Sequence, residues 1–188
     1  MRIRNENELV EACKNKDRSA MEKIYVLHMP RMLAISRRYC KNQWDAEDVV
    51  QDAFIKVFRN FHSYQYNNSL SKWIERIVIN CAIDFWRASK KILYTESNEF
   101  LEHVSNKELE DTDDLHLIEQ VSIDTLRDLI NDLPDQYRFV LNLYAIEGYS
   151  HKEIGEMLSI KESTSRSNYA RARKKIMDEI KNTESLVR

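Results

Sequence analysis

The sequence predicts an all-α protein made of two small helical domains joined by an acidic linker, and three observations carry that prediction. Its 188 residues include only two glycines and two prolines, too few for the turns of a sheet protein, beside 43 % hydrophobic and 32 % charged residues, a balance that suits amphipathic helices. Apolar residues recur at intervals of three and four along most of the chain. The charge is unevenly shared. Residues 1–92 carry 17 Lys and Arg against 11 Asp and Glu, residues 93–124 carry 1 against 10, and residues 125–188 carry 11 against 10. The middle stretch, with its run Glu108-Leu109-Glu110-Asp111-Thr112-Asp113-Asp114, has too little apolar spacing to build a core and reads as a mobile linker, the alternative being a solvated acidic helix.

In the first block, Glu8 to His28 shows the helical period through Leu9, Ala12, Cys13, Ala20, Ile24 and Leu27, and a second run follows Pro30 through Tyr39. A third helix opens at Asp45, the expected N-cap, with Glu47 and Asp48 in its first turn, where orphan amides and the helix dipole favour carboxylates. Those acids therefore need no catalytic explanation. Ala46, Val49, Val50, Ala53, Phe54, Val57, Phe58 and Phe61 form one wide core face. Ile55 falls on the other side, among Asp48, Gln51, Asp52 and Arg59, where burial within the domain does not account for it. Taken alone, it fits an ordinary surface or a protein-docking face.

Residues 60–71 read as a loop rich in aromatic and polar side chains, and Tyr64 and Tyr66 there suit stacking on unpaired bases. The helix that follows, Lys72 to about Lys91, is apolar nearly all round. Its one polar stripe holds Arg76, Asn80, Asp84, Arg87 and Lys91, with Trp73 at the edge. Cations, an amide and an aromatic on one stripe fit a nucleic-acid face; the bland alternative is a solvated face with an internal Asp84–Arg87 pair.

In the second block, Thr125 to Asn131 and Gln136 to Glu147 read as helices broken at Leu133-Pro134, the second closed by Gly148. Ser150 and Glu153 match a capping box that opens a short helix containing Ile154, Met157 and Leu158. Gly155 inside it implies close crossing by another helix. A turn around Ser159-Ile160-Lys161 leads to a last helix, Ser163 to Ile180, with Ser165, Tyr169, Ala172, Ile176 and Ile180 inward. Thr164, Ser167, Asn168, Arg171, Lys174 and Lys175 are placed outward, and Arg166 and Arg173 to the side. Short polar groups followed by cations describe a helix-turn-helix recognition helix that enters the major groove and neutralises phosphates beside it, with Lys152 and Ser163 as further contacts.

Several function classes are excluded. With Gly148 and Gly155 as the only glycines, neither a dinucleotide fingerprint nor a glycine-rich phosphate loop can be written. Cys13, Cys40 and Cys81 are odd in number and far apart, which predicts buried free thiols in a reducing cytoplasm. His28, His62, His103, His116 and His151 contain no ligand pair at metal spacing, so no metal and no cofactor are expected. The charged N-terminus lacks a signal-peptide core, and no stretch approaches the roughly 20 apolar residues of a membrane span. A soluble, cytoplasmic, non-enzymatic chain is the expectation.

Across both blocks the chain resembles the extracytoplasmic-function (ECF) group of bacterial sigma-70-type RNA polymerase sigma factors. The resemblance rests on Asp45-Ala46-Glu47-Asp48-Val49-Val50-Gln51-Asp52-Ala53-Phe54, on Trp73-Ile74-Glu75-Arg76-Ile77 with Asn80, Asp84 and Arg87, and on Leu133-Pro134 with Arg138, Tyr149-Ser150-His151-Lys152-Glu153-Ile154 and Ala170-Arg171-Ala172-Arg173. It implies a region 2-like domain over 1–92, a linker over 93–124 and a region 4-like domain over 125–188. The face of Asp48, Gln51, Asp52, Ile55 and Arg59 would grip the clamp of the polymerase largest subunit. Tyr64, Tyr66, Trp73, Arg76, Asn80, Asp84, Arg87 and Lys91 would meet the melted non-template strand, and the last helix the upstream element as duplex. The polymerase flap region and an anti-sigma factor are further implied partners, with no membrane insertion and no small-molecule substrate. The sequence departs from the family at Asn67-Asn68-Ser69-Leu70-Ser71, where Gly and Phe are common, and at Glu162-Ser163-Thr164-Ser165-Arg166-Ser167, where Gly-Thr-Val-Lys is commoner. The competing reading is a stand-alone helix-turn-helix regulator whose first domain senses a ligand or dimerises.

Overall fold

The long first helix expected from the hydrophobic period is in fact two, α1 (Glu6–Lys14) and α2 (Arg18–Ser36). The break has a local cause. Lys16 takes a left-handed conformation at φ 61°, and the Asp17 carboxylate then caps α2 by accepting from the Ala20 amide at 3.0 Å. The break expected at Pro30 does not occur; α2 runs through it to Ser36. The hydrogen bond a proline forfeits, to the carbonyl four residues back, falls between Val26 and Pro30, both on the exposed side.

The computed structural model describes residues 6–66, 69–93 and 121–187. It divides into two units, Met1–Ser97 and Asn98–Arg188. Most of the expected acidic linker lies outside the described residues.

In the first unit, α3 (Gln43–Arg59) begins earlier than expected, because Asn42 and not Asp45 is its N-cap. The Asn42 side chain accepts from the Asp45 amide and donates to the Asp45 carboxylate, each at 2.9 Å, so Asp45 sits at the third helical position. The predicted face of α3 is buried through Ala46, Val49, Val50, Ala53, Phe54 and Val57 against α2 and α4 (Leu70–Leu93). Each large apolar side chain so buried contributes roughly 1.5–3 kcal/mol. From α4, Ile74, Val78, Ile79 and Ile83 complete the core. Between α3 and α4 the described residues include a 3₁₀ turn, Phe61–Ser63. Cys13, Cys40 and Cys81 are buried free thiols, and desolvation pushes the Cys13 thiol up to about 11.

In the second unit, Ser122 caps α5 (Ile123–Asn131) by accepting from the Thr125 amide at 3.1 Å, so this helix starts within the stretch read as linker. After Pro134, α6 (Asp135–Leu141) continues as a π-helical turn, Asn142–Ile146, and the chain reverses at Gly148, φ 77°, as its sequence position suggests. Arg138, 3 % exposed, holds the Leu133-Pro134 corner: its guanidinium donates to the Asn131 carbonyl at 3.3 Å and pairs with Asp135 at 3.1 Å. The last two helices are α7 (His151–Leu158) and α8 (Glu162–Val187). Leu133 and Leu141 pack with Ala172, Ile176, Met177 and Ile180 of α8 into one apolar cluster.

Candidate polymerase and nucleic-acid interfaces

The outer face of α3 is as the period predicts. Asp48, Gln51, Asp52 and Arg59 are exposed, and Ile55 among them is 44 % exposed while its neighbours Phe54 and Val57 are buried. Trp44, at the start of the same helix, is 78 % exposed and was not signalled by the core pattern.

On α4, Arg76, Asn80, Asp84 and Arg87 form an exposed stripe, with Trp73 half-buried at its edge. Lys91 lies on α4, but its side chain is outside the described residues. Asp84 is shared between helices: its carboxylate accepts from Lys56 of α3 at 3.4 Å and faces Arg87 at 4.0 Å. Desolvation works against the Lys56 charge, but the Cys81 thiol and Asp84 outweigh it, and its ammonium is held above the ordinary lysine value. Lys56 is a residue the sequence reading missed; its one signal was a cation on α3 outside the core face.

Tyr64 corrects the expectation of an exposed stacking residue. It is 5 % exposed, because its ring packs between Trp73 (centroids 5.4 Å apart) and Tyr66 (5.6 Å) in an aromatic series that reaches back through Phe61 and Phe58 to Phe54. Apolar area decided its place, and polar sequence neighbours did not. Tyr66 remains exposed but engaged: its hydroxyl donates to Glu11 of α1, and Lys14 stands 4.5 Å over its ring. The Tyr66 hydroxyl, and then Lys14, hold the Glu11 carboxyl below its ordinary value.

In the second unit the capping box forms in full, with the Ser150 hydroxyl accepting from the Glu153 amide at 3.3 Å and the Glu153 carboxylate accepting from the Ser150 amide at 2.9 Å. Gly155 is needed for a different reason from the expected helix crossing. A Cβ there would stand 2.8 Å from the Ile160 carbonyl oxygen, so the turn that follows, with Ser159 left-handed at φ 56°, folds back onto it. This close return sets α8 against α7.

Ser163, Arg166, Lys174 and Lys175 on α8 and Lys152 on α7 are exposed, and Thr164, Ser167 and Arg171 are half-buried. Arg166 pairs with Glu162 at 2.6 Å, and the Ser167 hydroxyl donates to the Ser163 carbonyl of its own helix at 3.0 Å. Asn168 is not outward. It is 3 % exposed, because it follows Ser165 by three residues and precedes Ala172 by four, the phase of the buried stripe. The sequence reading also passed over His151 as a structural pin. Its imidazole stacks on Tyr144 (4.1 Å, 9°), approaches Tyr169 and bonds through Nδ1 to buried Ser165 of α8 at 3.0 Å. Burial, with the Arg166 charge adding to it, holds its pKa below the usual histidine value. The signal was available, since His151 stands three and seven residues before buried Ile154 and Leu158.

Among the described residues no cluster of His, Cys, Asp or Glu is suited to hold a metal, and no helix is long and apolar enough to cross a membrane. What the two units present instead is a pair of polar outer helix faces in one and a helix-turn-helix in the other. The Sigma-70 region 2 model matches residues 24–92 and the Sigma-70, region 4 model matches residues 123–176, so the chain belongs to the sigma-70 family of RNA polymerase sigma factors. Its relatives narrow this further. It is 27 % identical over 187 residues to ECF RNA polymerase sigma factor SigW of Bacillus subtilis, covering 92 % of this chain and 95 % of that protein. It is 28 % identical over 178 residues to the ECF RNA polymerase sigma-E factor of Escherichia coli K12, covering 92 % of each. Against ECF sigma factor SigE of Mycolicibacterium smegmatis it is 31 % identical over 151 residues, which span 80 % of this chain and 58 % of that one. Two solved structures share the fold at 19 % identity. Sigma factor RpoE from Bartonella quintana, in complex with the anti-sigma factor NepR, gives a TM-score of 0.55 over 85 % of this chain and 96 % of that one. CnrH, in complex with the cytosolic domain of CnrY, gives 0.52 over 93 % and 96 %. The chain is thus an ECF-type sigma factor, a transcription initiation factor that works with RNA polymerase on promoter DNA and is not an enzyme.

Proposed function

We propose that the outer face of α3, centred on Ile55 with Asp48, Gln51, Asp52 and Arg59, docks on the clamp of the polymerase largest subunit. In the same reading the α4 stripe of Arg76, Asn80, Asp84 and Arg87, with Trp73 and Tyr66 beside it and Lys91 further along, meets the melted start-proximal strand. The observation that carries this reading is the stripe itself: four polar residues exposed along one side of a helix that otherwise buries Ile74, Val78, Ile79 and Ile83. A helix in a small core exposes such a line of cations and amides where a charged partner comes to it.

The second unit takes the upstream element as duplex. Ser163, Thr164 and Ser167 at the start of α8 face the base edges, and Lys152, Arg166, Arg171, Lys174 and Lys175 neutralise phosphates. Two linked sites of modest strength, both held by polymerase, explain how a chain of net charge −2 binds DNA at all. The polymerase flap is the second docking partner, and an anti-sigma factor that covers these faces is the regulator; both act in the cytoplasm. Run-off transcription with purified core polymerase tests the whole: promoter-specific initiation is expected only when this chain is added, and initiation without it refutes the reading.

A further inference from the structure

On the α4 stripe one residue has the wrong sign for nucleic acid. The Asp84 side chain is 60 % exposed, and a bare carboxylate there would repel phosphates from the cations on either side. Two cations converge on it from two helices. Lys56 Nζ, from α3, stands 3.4 Å from Oδ2, and Arg87 Nη1 stands 4.0 Å from Oδ1, so each cation faces a separate oxygen and the group carries a net charge of +1. Neither lysine nor carboxylate is buried, with Lys56 at 49 % side-chain exposure, and exposed ion pairs add little to stability. A purely structural tie between α3 and α4 therefore accounts poorly for the arrangement.

The ammonium group has three donors. Asp84 is its hydrogen-bond partner at 3.4 Å, which leaves donors for an incoming oxygen. Lysine on a flexible stem normally loses entropy when a ligand fixes it, and a carboxylate that already holds it removes part of that cost. We propose that Lys56 is a phosphate-contacting residue of the start-proximal DNA face, held beside Arg87 by Asp84, which acts as a positioning residue. This rests on the assignment of the α4 stripe to melted DNA. It extends that face across onto α3, where Asp52, one turn back, and the adjacent Ile55 belong to the proposed docking surface.

The test uses holoenzyme reconstituted with core polymerase and a fluorescent forked duplex recovered from a randomised pool by the wild type, its affinity measured across a salt series. Lys56→Ala is expected to bind the fork about three- to tenfold more weakly at low salt and to lower the slope of log affinity against log salt by about 0.7, the value for one lost single-strand phosphate contact. Lys56→Arg restores the slope, since a phosphate accepts either cation. Asp84→Asn does not tighten binding, although it removes a negative charge. An unchanged slope in Lys56→Ala overturns the contact, and tighter binding by Asp84→Asn overturns the positioning role. If the wild-type holoenzyme prefers the fork no more than a fully paired duplex, the assignment of the stripe falls and takes this inference with it; a wild type that does prefer the fork isolates failure to Lys56.

Discussion

Replacing Gly155 by alanine sets two effects against each other. Alanine is the better helix former by roughly 1 kcal/mol. Its methyl group, however, would stand 2.8 Å from the Ile160 carbonyl oxygen and 3.5 Å from the Glu162 amide nitrogen, both backbone atoms. A flexible side chain could swing away from it, but here the whole turn must move, and that turn is fixed by Ser159 at φ 56° and by the Ile160 amide bonded to the Gly155 carbonyl at 3.0 Å. Overpacking of this kind costs about 1–3 kcal/mol, and the rigid contact places it in the upper half, so the net loss should be about 1–2 kcal/mol after the propensity gain. For a unit of this size that lowers the melting midpoint by roughly 5–10 °C. Thermal scans of the full chain by circular dichroism read the shift. Because α8 begins at Glu162, the same displacement should weaken holoenzyme binding to the upstream element. A Gly155→Ala chain that melts at the wild-type temperature or above it would show that the turn yields freely, and the account of Gly155 would be wrong.

Three other outcomes are expected. His151 is held neutral by burial and by Arg166, so its folded pKa lies below that of the unfolded chain; stability is complete above about pH 6.5 and is lost as pH falls through the folded value. His151→Asn should therefore show a smaller loss of stability between pH 7.5 and 5 than the wild type in urea titrations, and equal losses would remove the argument. Asn168 carries a buried Nδ2 without a partner, so Asn168→Leu should leave stability unchanged or raise it by about 1 kcal/mol and leave upstream-element affinity intact; weaker DNA binding by a well-folded variant would return Asn168 to the interface. Ile55→Asp should cut core-polymerase affinity at least tenfold in a pull-down titration while the melting midpoint stays within a few degrees, since Ile55 is 44 % exposed; full affinity would remove the docking face.

What the sequence disclosed follows physical strength. The α3 face was legible because Ala46, Val49, Val50, Ala53, Phe54 and Val57 repeat over several turns, and burial of that much apolar area overrides local detail. Helix ends were less legible, because single hydrogen bonds decide them: Asn42 outcompeted Asp45 as a cap, and Asp17 opened a helix where the apolar period ran on unbroken. The errors at the candidate interfaces share one form. Asn168 and Tyr64 were assigned by their polar groups, but helical phase fixed the first and an aromatic neighbour, Trp73, the second. Gly155 was recognised as a close approach, but the approaching group is the backbone of the next turn, which residue pattern does not encode. Lys56 was missed because its meaning lies in Asp84, 28 positions further along the chain.

All three cysteines belong to the first unit, where Cys13 is 1 %, Cys40 8 % and Cys81 5 % exposed, and the second unit has none. With the Cys13 thiol pushed up to about 11, it stays protonated and shielded from alkylating reagents until the helices around it part. The natural chain is therefore its own selective reporter: the rate at which a maleimide reacts counts openings of the first unit alone. The same measurement in holoenzyme would show how far capture by its partner slows that breathing, without a single engineered residue.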